Sequence, residues 1–321
     1  MSEHATLRDA ILYFADFEHC RQFMVELRWP DGNVKCPQCG SHKVCYLTKN
    51  RVWKCYAIHA KPRFTLKTGT IFEDSPIPLE KWLPAVWMLL NCKNGISSWE
   101  LHRALGVTQK TAWFMLHRIR LAMQSQTFNK LGGPDGPVEV DETFIGGKAR
   151  NMHVSKRRQL GISGPAGPAA GSKAVVMGIL EHGGTVRTAT VEERSKATLQ
   201  GTIHEHVEAG SAVFTDAPMA YVGLDKAFAH QIIDHAEEYV RGNVHTNGLE
   251  NFWSLLKCGL HGTYVSVEPF HLFRYVDEQA SRYNNRNMDD LERFVFGMRH
   301  IVGQRLTYKQ LTGHQEVMNE G

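Results

Sequence analysis

Apolar positions divide the chain before anything else does. Leu7, Ile11, Phe14, Phe17 and Phe23 recur at roughly helical spacing, which predicts one or two short helices within 1–29. Between 30 and 75 that period gives way to Pro, Gly, Cys and short β-rich runs, among them Lys43 to Leu47 and Val52 to Tyr56. Helical spacing returns over 76–126. The run from Trp82 to Leu90 contains Pro84 and reads as a buried helix, well short of the ~20 residues a membrane span needs. Pro134, Gly136 and Pro137 mark a linker. Beyond it strands and helices alternate: strands at 138–144, 174–180, 185–191 and 212–216, a helix at 196–208, a short strand near 230–233, and helices from 247. This order predicts a mixed α/β domain over 137–300 and a tail over 301–321.

Charge modifies the picture locally. The net charge of +4 permits nucleic-acid binding without requiring it. Residues 146–173 hold six basic and no acidic residues among many Gly, Pro and Ala, and read as a flexible basic insert. The start, Met1-Ser2-Glu3-His4, lacks a basic-then-apolar leader, so the expected location is cytoplasmic, near the nucleoid.

Four of the seven cysteines fall between 36 and 55, which suits metal ligation better than a disulfide framework. Cys36-Pro37-Gln38-Cys39-Gly40 is a knuckle in which a tight turn aims two thiolates at one ion. Cys55 follows after 15 intervening residues, and His59 sits four positions later. Cys36, Cys39, Cys55 and His59 therefore form the expected ligand set of one structural Zn²⁺ in a ribbon over 30–75. Cys45 is read as a buried free thiol, and Cys20, Cys92 and Cys258 as core.

Ser97-Ser98-Trp99-Glu100 fits a capping box that starts a helix ending at Gly106, with Thr108 as N-cap of a second. Ala112, Leu116, Ile119 and Met123 form the apolar stripe of that second helix. Gln109, Lys110, Thr111, His117, Arg118 and Arg120 are read mostly off it, as in a helix-turn-helix recognition helix.

Carboxylates supply the candidate chemistry. Two hard cations, Mg²⁺ or Mn²⁺, need acidic oxygens from several elements to clamp the attacking and leaving oxygens of a phosphodiester. Asp141 lies in the first strand of the α/β domain, and its neighbour Glu142 must face the other way. Asp216 ends the apolar run Ala212-Val213-Phe214-Thr215. Glu250 lies early in a helix with an apolar stripe of Leu249, Phe252, Trp253, Leu256 and Leu260. Lys257 follows two turns later, placed to meet a phosphate. Asp234, Glu237, Glu238, Asp277 and Glu278 are rivals for the third acid.

Several blocks together resemble one family. They are Arg28-Trp29-Pro30-Asp31-Gly32, Gly69-Thr70-Ile71-Phe72-Glu73-Asp74-Ser75, Val140-Asp141-Glu142-Thr143, Phe214-Thr215-Asp216, the long run from His245 to Lys257, and Arg282-Tyr283-Asn284-Asn285-Arg286. The chain is similar in these to bacterial insertion-sequence transposases with a zinc-ribbon N-terminus and an ISXO-type catalytic domain carrying an Asp-Asp-Glu triad. The resemblance implies a ribonuclease-H-like fold, two divalent metals, and cleavage and strand transfer at inverted DNA ends. It maps the triad onto Asp141, Asp216 and Glu250, with Lys257 as the accessory basic residue; Asn247 and Asn251 flank the third position. It also implies double-stranded DNA, as terminal repeats and target, and a homodimer to process two ends. Two other readings compete: a structure-specific nuclease on the same fold, and an inert zinc-ribbon DNA-binding regulator.

Overall fold

The structure, a computed structural model, describes residues 6–124, 129–133, 136–146, 153–159, 173–191, 194–216, 221–232 and 246–313. The chain divides into two compact units, one of residues 1–124 with 287–321 and one of 125–286.

The first unit opens with α1 (Leu7–Phe14), started by a reciprocal Thr6–Asp9 capping box, and α2 (Phe17–Arg28). A three-stranded antiparallel sheet follows: β1 (Val44–Leu47), β2 (Val52–Cys55) and β3 (Arg63–Phe64). Then come α3 (Leu79–Asn91), α4 (Ser98–Leu105) and α5 (Gln109–Ala122). Helix α3 carries Pro84 and buries nine of its residues, as its nearly continuous apolar run requires. Ser97 and Glu100 form the expected capping box, and Thr108 caps α5 through the Thr111 N–H.

The second unit is a mixed α/β domain of ribonuclease-H-like type. Its strands are β4 (Val138–Ile145), β5 (Ala174–Glu181), β6 (Val186–Val191), β7 (Ala212–Thr215) and β8 (Ala229–Ile232), ordered β6-β5-β4-β7-β8. Strands β4, β5 and β6 form an antiparallel meander, whereas β7 and β8 run parallel to β4. The short helix α6 (Val154–Gln159) lies in the basic insert, most of which falls outside the described residues. Helix α7 (Lys196–His206) covers one sheet face, with Leu199 and Ile203 against Val138, Val140, Met177 and Ile179. Helices α8 (Asn247–Cys258) and α9 (Leu272–Asn284) cover the other, where Leu249, Phe252, Trp253 and Val276 join Val176 and Leu180. Two cores on a central sheet explain why β5 is buried along nearly its whole length. Asn284 fastens α9 to β6, accepting from the Val186 N–H at 2.7 Å and donating to its carbonyl at 3.0 Å.

The chain then returns to the first unit through α10 (Asp290–Arg299) and α11 (Tyr308–Leu311). Phe294 packs against Phe14, Phe23 and Trp87. Ile301, Leu306 and Leu311 are buried, so the described part of the segment read as a tail is anchored to the first unit by three apolar side chains, its other residues being exposed or half-buried. Among the described residues no helix is long and apolar enough to cross a membrane.

The thiols need correction. Cys20 is buried and Cys92 half-buried, but Cys45 and Cys258 are exposed. Strand alternation turns Cys45 outward while its neighbours Val44 and Tyr46 pack on the core. Cys258 falls beside the α8 stripe, not within it.

Candidate functional site

Two sets of side chains stand out: a group in the ribbon close enough to hold a metal ion, the one such group among the described residues, and a pair of acids in the second unit. In the ribbon, the donor atoms of Cys36, Cys39, Cys55 and His59 all lie within 4.8 Å of one another. Cys36 Sγ is 3.6 Å from His59 Nε2, and Cys39 Sγ is 3.7 Å from Cys55 Sγ. A tetrahedral zinc with Zn–S bonds of ~2.3 Å places neighbouring sulfurs ~3.8 Å apart. The donor set therefore fits one Zn²⁺. The knuckle is closed by the Gly40 N–H donating to the Cys36 carbonyl at 2.8 Å. The Ala57 N–H donates to Cys55 Sγ at 3.4 Å.

The second cluster lies on the α8 face of the large sheet. The parallel β4–β7 register pairs Val140 with Thr215, so Asp141 and Asp216 follow at equivalent places on neighbouring strands. Their charges interact: burial first, and then the charge of Asp216, push the Asp141 carboxyl up to about 6. Trp253 donates its indole N–H to Asp141 Oδ2 at 2.8 Å, and the Glu142 N–H donates to Oδ1 at 2.7 Å. Each Asp141 oxygen keeps acceptor capacity for a further partner.

Helix α8 approaches closely at this point. Gly178 of β5 pairs with Asp141, and a Cβ on it would lie 2.7 Å from Trp253 and 2.8 Å from Leu249. Glycine is thus required where the helix crosses the sheet. Glu250 stands on α8 one turn before Trp253 and is exposed; Lys257 is exposed one turn after it. Asp141 and Asp216 lie close enough for their charges to interact, and Glu250 stands on the helix whose tryptophan touches Asp141. Among the rival acids Glu278 is fully buried and bound to Arg282 and the Tyr264 hydroxyl, whereas Asp234, Glu237 and Glu238 lie outside the described residues.

Glu142 faces the opposite side. It pairs with Arg194 at 2.9 Å and accepts from the Tyr221 hydroxyl; burial raises its carboxyl while Arg194 opposes the rise. Glu139, two residues before Asp141, is buried among the strands and reaches the first turn of α8. Sequence reasoning passed over Trp253, Glu139 and Arg194. An acid between Val138 and Val140 in a strand buried on both faces was a readable signal, because such a group needs a partner.

The two expected helices and the short turn at Gly106 form, but the basic face of the second is smaller than expected. His117, Arg118 and Arg120 are buried, contrary to their reading as off-stripe. Arg118 donates to the carbonyls of Leu306 and Glu73, so the last turns of α5 are enclosed by their own unit. Lys110 and Thr108 at the helix start remain exposed.

A ribonuclease-H-like sheet with acids on its central strand and at the end of the next defines the class of the second unit. Residues 133–284 match the ISXO2-like transposase domain, and residues 16–57 match the transposase zinc-ribbon domain. The chain thus carries two domains of the kind found in insertion-sequence transposases. A protein in transposable element ISH50 of Halobacterium salinarum is 28% identical over 252 residues, covering 76% of this chain and 83% of that protein.

Proposed function

We propose that this chain is the transposase of an insertion sequence, which binds the inverted terminal repeats of its element, cuts DNA at those ends and joins them to target DNA. The observation that carries the reading is the closeness of Asp141 on β4 to Asp216 just past the end of β7, with Asp141 held by a tryptophan of the helix that bears Glu250. Two like charges held together in a half-buried site favour a divalent counter-ion, and an all-oxygen donor set suits Mg²⁺ or Mn²⁺. When bound, two such ions would activate the attacking oxygen and neutralise the leaving one.

The residues divide the remaining work. Asp141, Asp216 and Glu250 supply the carboxylates, and the sheet and α8 fix where they meet. Lys257 offers an ammonium to a DNA phosphate. In cleavage a water oxygen bonds to phosphorus while the bond to the 3′ oxygen breaks, and the displaced oxygen takes up a proton as a 3′-hydroxyl. In transfer that hydroxyl oxygen bonds to a target phosphorus and displaces the target's own 3′ oxygen, so the phosphodiester count is conserved. The ribbon, the start of α5 and the basic stretch 146–173 hold the duplex, and two copies of the chain pair two ends.

The test is an in vitro reaction of purified protein with linear DNA carrying the element's ends, a supercoiled target, and Mg²⁺ or Mn²⁺. Joined products are expected. Asp141→Asn, Asp216→Asn and Glu250→Gln should lose cleavage and joining while still retarding end DNA. Cleavage without joining would make the chain a nuclease; full cleavage by the variants would remove the assigned site.

A further inference from the structure

Glu139 is 1% exposed and has no place in the donor set. Its Oε2 accepts the Leu249 backbone N–H at 2.9 Å, one of the donors that the first turn of α8 leaves without an intrahelical partner. Its Oε1 lies 2.8 Å from His182 Nε2, just past the end of β5, and the His182 ring packs edge-on against Phe214 of β7. The neighbouring helix residue is Gly248. A Cβ there would fall 2.5 Å from Leu180 Cδ2 and 2.9 and 3.0 Å from the two Glu139 oxygens. Leu180 is 3% exposed, so neither neighbour has room to swing away.

The placement along β4 gives these contacts a consequence. Residues 139 and 141 share one strand face, two positions apart. Glu139 grips the start of α8, Trp253 meets Asp141 one turn later, and Glu250 lies on the turn between them. A buried carboxylate at a helix N-terminus is stabilised by the orphan N–H groups and the helix dipole. It also fixes the axial position of the helix, which a greasy contact alone leaves free to slide.

We propose that Glu139 is a positioning residue: with Gly248 and His182 it locks the first turn of α8 onto the central strand, so that Glu250 is delivered beside Asp141. This rests on the transposase reading above.

Three variants test it: Glu139→Ala, which removes the acceptor; Glu139→Gln, which keeps the shape and one acceptor oxygen; and Gly248→Ala, whose Cβ crowds Leu180 and the Glu139 carboxylate and so pushes the helix outward while leaving the acid in the chain. The readouts are hydrogen–deuterium exchange over 246–258, retardation of end DNA, and the Mn²⁺ dependence of end cleavage. Glu139→Ala and Gly248→Ala should speed exchange in the first turn of α8 and leave β5 protected. They should lower cleavage or raise the half-saturating Mn²⁺ by on the order of 10- to 100-fold, with DNA binding unchanged. Glu139→Gln should recover much of the loss. Should Glu139→Ala fail to fold, Gly248→Ala decides. Wild-type exchange and Mn²⁺ dependence in Gly248→Ala would overturn the role. A Glu250→Gln control separates the levels: if it is inactive while Glu139 and Gly248 variants behave as wild type, only the positioning role fails; if it is fully active, the reading beneath fails.

Discussion

The ribbon and the carboxylate site gather their donors by opposite means. Cys36, Cys39, Cys55 and His59 come from one short stretch of three short strands and their turns. Asp141 and Asp216 come from two strands of a sheet buried by two separate cores, and Glu250 from a helix on one of its faces. In the first case the ion is part of the fold, because a few strand pairs cannot offset the ordering entropy of the loops. In the second the protein holds Asp141 and Asp216 together unaided, and under the proposed function the ion would answer to the site.

Metal removal should therefore act very differently on the two. A structural Zn²⁺ contributes an apparent ~10–16 kcal/mol in small zinc domains, so stripping it, or Cys39→Ser, should unfold the ribbon. Amides of β1 and β2 would lose exchange protection while those of β4 and β5 keep theirs. Omitting Mg²⁺ and Mn²⁺ should leave both sets protected. Protected β1 and β2 amides in zinc-free protein would break the contrast.

Substitution at the carboxylates comes next in size. Asp141→Asn should lower cleavage by roughly 10³-fold, the several kcal/mol that metal assistance contributes to such reactions. The same variant should melt no lower than the parent in metal-free buffer. Burial and the charge of Asp216 already disfavour the Asp141 anion in the fold, so losing that charge relieves the second unit. A pronounced fall in melting temperature would mean that the carboxylate stabilises the fold, as a ribbon ligand does. Trp253→Phe is smaller again. It removes a hydrogen bond to a charged acceptor, worth ~1.5–3 kcal/mol, and should cut cleavage by on the order of tenfold with end binding intact. Cleavage equal to the parent would reduce the indole to a space filler.

What could be read from the sequence follows the same division. The knuckle spacing places two thiolates by local geometry alone, so Cys36 and Cys39 were legible, and Cys55 with His59 followed within one hairpin. The strands and helices of the second unit were legible too, because each carries a complete apolar run. The joint position of Asp141 and Asp216 depends on the parallel β4–β7 register, which no local pattern encodes. Burial decided the cases that sequence reasoning missed. Arg118 and Arg120 sit on a helix whose far turns are covered by residues near 73 and 306, far away in the chain. Glu139 announced itself as an acid between Val138 and Val140, but its partner on α8 lies 110 residues away in the chain.

The finest test of the contrast lies inside the ribbon. Four cysteines fall between 36 and 55, and an all-cysteine set using Cys45 in place of His59 would satisfy zinc chemistry equally well. The strand decides between them: Val44 pairs with Cys55, Cys45 pairs with Lys54, and the Cys45 thiol is turned to solvent, with the Tyr46 carbonyl 3.7 Å away. Cys45→Ser should then change stability by no more than about 0.5 kcal/mol, the usual range for a surface substitution, and keep one zinc per chain by metal analysis. His59→Ala should lose the ion or hold it more weakly. The reverse outcome, zinc lost with Cys45 and kept without His59, would require β1 to slip by one residue, turning Val44 and Tyr46 out of the core.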